Sequence, residues 1–286
     1  MSIAVITDST ASLPLEMRTE HGITVVPLHV VVDGQERVEG DDVGTDWVVD
    51  ALRRKVDIST SRPAPVSFLR AYEKAAQGGA ESIISVHLSA AMSGTADSAH
   101  SAALESPVPV HVVDSHTIGM AVGFAAVSAS RDAAAGRDVE DVLERLERRL
   151  DASSVRLLVH SLERLRRGGR IGGARALLGS ALAVKPVLHV QDGQVEPLER
   201  VRTASKAIAR LQALTVEHYD NLPEWADGVD IAVQHVESDD TRAHALARTL
   251  ADALSTRVEV TRLSATIASH VGLGTIGVAV VPRIRD

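Results

Sequence analysis

There is no cysteine anywhere in the 286 residues. Disulfides, thiolate metal sites and cysteine nucleophiles are therefore excluded. Aromatic side chains are nearly as scarce: two Trp, two Tyr and two Phe make up 2% of the chain. The core must then be built from Ala, Val, Leu and Ile, and a platform for stacking bases or sugars is not expected. An excess of positive charge is missing too. The formal net charge is −8, so the global electrostatic footprint of a nucleic-acid-binding protein is absent. No run of 18 uncharged apolar residues occurs, which argues against a membrane span. The opening "MSIAVITDST" has neither a basic segment nor a long apolar stretch, so it does not read as a signal peptide. The expectation is a cytoplasmic protein with only transient membrane contact.

What is present is ordinary in amount and ordered in pattern. Hydrophobic residues are 45% and charged residues 24%, the balance of a soluble globular protein. The β-branched run 3–7, the extended stretch 23–34 bent at Pro27, and the apolar runs 82–88 and 108–115 read as strands. Helices are expected from Thr45 or Asp46 to Leu52, near 66–77, and at 118–135 and 138–150. Alternating strands and helices predict an α/β fold with a largely parallel sheet over residues 1–150. Beyond that the pattern changes. A strand at 156–161 is followed by two short helices around the glycines of 162–184. A hairpin turning at Asp192-Gly193 spans 185–202. Helices at 203–219 and 239–254 alternate with strands at 229–235, 257–262 and 275–282. Residues 151–286 therefore read as an α+β domain with an antiparallel or mixed sheet.

Several polar clusters follow these strands. In "SGTADSA" (93–99), Ser93, Gly94 and Thr95 stand at a turn before a helix. Ser93 there is a nucleophile, an anion ligand at the helix N-terminus, or a plain helix cap. Gly94 would let a ligand approach the backbone closely. "TSRPAP" (60–65) places Thr60, Ser61 and Arg62 in an extended loop ahead of proline, where the hydroxyls face a ligand or simply lead into a helix. "ASHVGLGTIG" (268–277) sets His270 in a glycine loop, as a hydrogen-bond donor, a base or a structural residue. Asp8 and Asp114 follow strands and either cap what comes next or orient a histidine. No H-E-x-x-H or similar spacing occurs, so no metal is expected. "GLGTIG" (272–277) precedes a strand rather than a helix, which rejects a dinucleotide fingerprint. "GSALAVKP" (179–186) lacks the spacing of a phosphate loop. Arg164, Arg166, Arg167 and Arg170 crowd into seven residues, with Arg175, Arg200 and Arg202 beyond. On an acidic chain this is a patch suited to phosphate or carboxylate, or else a solvated helix end.

These stretches in this order, together with "VITDSTASLP" (5–14), "SAAMSGTADSA" (89–99), "VVDS" (112–115), "LERLRRGGRIG" (162–172) and "LAVKPVL" (182–188), resemble the DegV family of bacterial fatty-acid-binding proteins. The resemblance covers nearly the whole chain. It implies a two-domain fold, 1–150 and 151–286, with a long-chain fatty acid buried in a tunnel between or beneath the domains. It also implies that the protein is not itself an enzyme. It would act as the acyl-binding subunit of a fatty acid kinase system, whose separate catalytic subunit, carrying ATP and Mg, phosphorylates the bound carboxylate. The acyl phosphate would pass to an acyltransferase of phospholipid synthesis. By similarity Thr60, Ser93 and His270 bind the carboxylate, with Ser61, Arg62, Gly94 and Thr95 as further head-group contacts. Arg170 and Arg202 face the kinase or the phosphate, and no cofactor sits on this chain. Two departures stand out. Arg62 replaces a frequent Gln and is expected to alter the head-group mouth. Leu273 replaces a frequent Pro and is expected to loosen the loop holding His270.

Physical chemistry is consistent with such a site. A tail gains about 0.8 kcal/mol per buried methylene, while a buried carboxylate needs hydrogen-bond donors to offset its desolvation. Two rivals belong to other classes. One is a serine hydrolase using Ser93 and His270, with Asp114 as orienting acid, although the G-x-S-x-G frame is missing. The other is a kinase-independent sensor of small anions or lipids.

Overall fold

The computed structural model describes residues 2–172 and 185–285. The second short helix expected around the glycines, residues 179–184 of "GSALAVKP", Arg175 and the first three residues of "LAVKPVL" lie outside the described residues. Strand β1 (Ile3–Asp8) pairs in parallel with β2 (Thr24–Val26) and with β6 (Ser82–His87), and β6 pairs in parallel with β7 (Val110–Asp114). The resulting sheet has the order β2-β1-β6-β7. Every residue of β6 is buried. Burial on both faces is why Ile83 and Ile84 stand side by side in it rather than alternating with polar residues.

A second, antiparallel sheet is formed by β3 (His29–Val32), β4 (Gln35–Val38) and β5 (Ile58–Ser61), in the order β4-β3-β5. The sequence reading has one strand and a loop here. The stretch 23–34 is two strands on two different sheets, divided at Pro27. "STS" (59–61) is a strand, not a loop, because its backbone completes the edge of β3. The third sheet is mixed, in the order β10-β9-β8-β13-β11-β12, from β8 (Ser154–Leu158), β9 (Lys185–Gln191), β10 (Gln194–Val201), β11 (Ala226–His235), β12 (Val258–Arg262) and β13 (Ile276–Ile284). The β9–β10 hairpin turns at Asp192 (φ 48°) and Gly193 (φ 76°), as the Asp-Gly pair predicts.

Helices α1 (Leu15–Glu20), α2 (Thr45–Arg53), α3 (Pro65–Gln77), α4 (Thr95–Ala103), α5 (Met120–Ala134) and α6 (Val139–Asp151) belong to the first half of the chain. Helices α7 (Glu163–Arg167), α8 (Ala204–Asp220), α9 (Thr241–Leu254) and α10 (Ala265–Val271) belong to the second. From Met120 to Ala129 every residue of α5 is buried, the mark of a helix enclosed on all sides. It packs against β1 on one side and β13 on another. A Cβ on its Gly123 would stand 2.8 Å from the carbonyl of Ala11, so glycine sets that approach. Asp132 of α5 anchors α6 by accepting from Arg145 (3.2 Å) and Arg149.

One apolar cluster joins the halves. Val30, Val32, Leu52 and Leu88 from the first pack in a common core with Leu157, Leu165, Leu188, Ile267 and Val281 from the second. The candidate site lies within this shared core.

Candidate functional site

A cavity of about 60 Å³ opens inside the shared core. Leu28, Leu88, Met92, Ile118, Leu165 and Val195 form its apolar walls. Its polar lining includes Thr60, Ser61, Arg62, Ser93, Arg170 and His270. Six residues singled out from four separate stretches of sequence thus line one cavity. Gly94, Thr95 and Arg202 do not line this cavity. Thr95 is fully buried beneath Ser93, and Arg202 is exposed after β10.

Each polar side chain is positioned by a distinct local structure. Thr60 sits on β5 opposite Val30, three residues ahead of Pro63, which cannot extend the ladder. Its Oγ1 is 2.8 Å from Nε2 of His270. His270 is in the last turn of α10, which ends at Gly272 (φ 78°), a position suited to glycine. The expected glycine loop is therefore a helix followed by a glycine turn. Leu273 comes after the helix and packs against the main core, while Gly274 N donates to Glu237 Oε1 at 2.6 Å. The loosening expected at Leu273 is not what this packing provides.

Ser93 follows β6 in a turn tied by Ser93 N to Ser89 O, 3.2 Å. Helix α4 starts at Thr95 with Gly94 as its cap residue and no side-chain cap bond. The capping reading of Ser93 is thereby corrected. Its Oγ lies 2.9 Å from Thr95 Oγ1 and at the cavity wall. The role of Gly94 also changes. A Cβ there would lie 2.0 Å from Nη1 of Arg62, so glycine makes room for that guanidinium, which donates to Gly94 O at 3.4 Å. Ser61 directs its hydroxyl away, to Glu36 Oε1 at 2.7 Å.

Arg170 Nε donates to Met92 O at 3.1 Å, and its Nη1 donates to Gly168 O. Burial first, then Arg170 and Arg164, push the His270 pKa down to about 4. Neutral at pH 7, its ring has one donor and one acceptor nitrogen. If Nε2 carries the proton it donates to Thr60, and the Thr60 hydroxyl hydrogen is released toward the cavity. The opposite tautomer would leave Thr60 with only lone pairs to offer. A carboxylate therefore selects the Nε2–H form.

The hydrolase constellation is not assembled. His270 bonds Thr60 rather than Ser93, and Asp114 lines a separate polar cleft of about 710 Å³ with His116. Asp114 instead accepts from Ala90 N and His116 N. A fully buried Asp–His–Ser chain does exist elsewhere: Asp8 Oδ2 to His87 Nδ1 at 3.0 Å and His87 Nε2 to Ser85 Oγ at 2.7 Å. All three are at 0% exposure, and the chain ties β1 to β6. Among the described residues no group of three His, Asp or Glu is placed to hold a metal ion. No described helix is long and apolar enough to cross a membrane.

Sequence reasoning missed Gly168, where a Cβ would come 2.7 Å from His270 Nδ1, and Thr266, which also lines the cavity. It missed Glu39, half-buried behind Thr266. None has a local motif; each is defined by what folds against it.

An α/β scaffold with a largely apolar pocket lined also by hydroxyls, a neutral histidine and an arginine is that of a small-ligand-binding protein. Comparison with known proteins narrows the class. A family model described as "Uncharacterised protein, DegV family" matches residues 2–283. A DegV domain-containing protein of Streptomyces coelicolor is 46% identical over 283 residues, covering 98% of this chain and 99% of that one. Among solved structures, "Fatty Acid Binding of a DegV family Protein from Thermus thermophilus" superposes with a TM-score of 0.91 at 35% identity, over 99% of this chain and 100% of that one. DegV of Bacillus subtilis, described as a fatty acid binding protein, gives 0.89 at 31% identity with the same coverage. This chain belongs to the DegV family.

Proposed function

We propose that this protein binds a long-chain fatty acid with its tail among Leu28, Leu88, Met92, Ile118, Leu165 and Val195 and its carboxylate at Thr60, Ser93 and His270. The observation that carries the reading is that these three side chains line one apolar-walled cavity, with Thr60 and His270 in contact. The two similar structures from Thermus thermophilus and Bacillus subtilis, both described as binding fatty acid, support it. The two hydroxyls supply donors to the carboxylate, that of Thr60 turned toward it by the neutral histidine, without a neighbouring acid to repel it. Two domains, 1–150 and 151–286, would then share the ligand.

The finer reading is that the protein presents this carboxylate to a separate ATP-dependent kinase in the cytoplasm. A carboxylate oxygen attacks the γ-phosphorus of ATP, ADP leaves, and an acyl phosphate forms for an acyltransferase of phospholipid synthesis. Mg and ATP belong to the kinase, and this chain contributes no catalytic group. Arg170 at the cavity and Arg202 outside it would serve the phosphate and the kinase respectively.

Denaturing extraction of the purified protein followed by lipid mass spectrometry is the direct test. Recovery of stoichiometric long-chain fatty acid is expected from the wild type, with strong depletion in Thr60→Val. A wild-type extract without fatty acid overturns the reading. Arg202→Ala is expected to retain lipid while slowing acyl phosphate formation by a cognate kinase; unchanged phosphorylation removes Arg202 from the kinase surface.

A further inference from the structure

Glu39 immediately follows β4, and its half-buried carboxylate is turned inward to hydrogen-bond partners. Oε2 accepts hydrogen bonds from Ser9 Oγ at 2.6 Å and Thr266 Oγ1 at 2.7 Å. Oε1 accepts from the backbone N–H of Thr266 at 3.2 Å. Ser9 Oγ in turn accepts from Leu28 N at 3.0 Å, and Glu39 N donates to Leu28 O at 3.0 Å. One carboxylate thus fastens three pieces of cavity wall: the Ser9–Ala11 turn through Ser9, the stretch containing Leu28, and α10 through Thr266.

The placement on α10 matters most. Thr266 and His270 are four residues apart and lie on the same helix face, about 6 Å along the axis. The sheet β4-β3-β5 grips that face twice. Glu39, at the end of β4, holds Thr266; Thr60, on β5, meets His270. Helix α10 has only seven residues, too short to keep its own orientation in water. Its angle over the cavity is set by what holds it: Ala265, Ile267, Ala268 and Val271 pack in the shared core, Ser264 N donates to Ser12 Oγ and Arg164 Nη1 to Ser269 O, and the Glu39–Thr266 and Thr60–His270 contacts fix the face that carries the histidine.

We infer that Glu39 is a positioning residue for the head-group site, fixing α10 so that His270 Nε2 meets Thr60 and orients the Thr60 hydroxyl toward the ligand. Glu39 does not itself line this cavity; it borders a polar cleft on the other side, together with Ser9 and Ser264. Burial raises its pKa, while the bonds from Ser9 and Thr266 pull it back. Those same bonds are the ones that hold the wall. The inference rests on the fatty-acid reading for its ligand, but its geometry concerns the ligand-free protein too.

Two measurements on Glu39→Ala and Glu39→Gln test it. The first is an NMR titration of His270 without ligand. Loosening α10 lets water reach the ring, so the pKa is expected to rise from about 4 by roughly a unit or more in Glu39→Ala. Loss of the negative charge through space acts in the opposite direction, so a rise isolates the positional effect. The second compares affinity for palmitate with affinity for hexadecanol. The acid's advantage over the alcohol is expected to fall about tenfold or more in Glu39→Ala, with the decline smaller in Glu39→Gln, whose amide keeps an acceptor for Thr266 N. An unshifted or lowered His270 pKa in the folded variants overturns the inference, whatever happens to affinity. So does an equal loss for acid and alcohol, which a merely destabilised fold would give. If Glu39→Ala does not fold, the same two criteria apply to Glu39→Gln, with a shift of the same sign expected. If the wild type binds neither lipid, the fatty-acid reading fails and the titration alone decides the role of Glu39.

Discussion

With its ring enclosed and Arg170 and Arg164 beside it, His270 takes up a proton only near pH 4, whereas an unfolded chain protonates it near 6.5. The unfolded state therefore binds more protons between those values. Its contribution to stability is present above pH 6.5, is lost as pH falls toward 4, and is constant below that. The loss amounts to about 3 kcal/mol for one histidine. Glu39, whose folded pKa is raised above 4.5, works the other way as pH falls through its folded value. The two are separated by denaturant titrations of wild type and His270→Asn from pH 4 to 7.5. The difference between them should shrink as pH falls, and a constant difference would show that His270 is not held neutral by the fold. A bound carboxylate favours the imidazolium, so fatty acid should raise the His270 pKa, read by NMR on the same sample. Gly168 belongs to this scale as well. Gly168→Ala would drive a methyl into the ring at Nδ1, and weakened head-group binding with little loss of stability is expected by calorimetry.

At the level of elements, α5 and α6 depend on one carboxylate. Arg145 and Arg149 are both nearly buried, and both donate to Asp132. Removing a buried partner leaves uncompensated charge, at a cost of about 3–5 kcal/mol. Asp132→Ala should lower the urea midpoint accordingly; a change under about 1 kcal/mol would mean that water or other acceptors replace it. The elements also show what a sequence carries and what it does not. β6, α5 and the Asp192-Gly193 hairpin were legible, because a buried apolar run, a helix period and a turn dipeptide are local signals. The sheet β4-β3-β5 was not. Its strands are four residues each, and β5 reads as a polar loop until β3 supplies its ladder. Helix α10 was hidden by the glycines that end it. The site residues Thr60, Ser93 and His270 were legible through resemblance in ordered motifs. Gly168, Thr266 and Glu39 were not, since their work depends on contacts 100 or more residues away in sequence.

For the molecule as a whole, the cavity wall draws on both halves of the chain, with Thr60, Ser93 and Ile118 from one and Leu165, Val195 and His270 from the other. A ligand held there opposes separation of the halves. At a free concentration 100 times its Kd it should add about 2.7 kcal/mol to unfolding, seen as one cooperative transition shifting upward in calorimetry. Two transitions, only one of them ligand-sensitive, would place the ligand within a single half. The size of the cavity has a kinetic consequence. Space of about 60 Å³ holds only a few water-sized groups, far less than a long acyl chain. Entry and exit then wait for the walls to part, Met92 among them with its adaptable side chain. Residence time becomes a property of the protein's breathing rather than of the lipid. Fatty acids of different length should leave at nearly one rate.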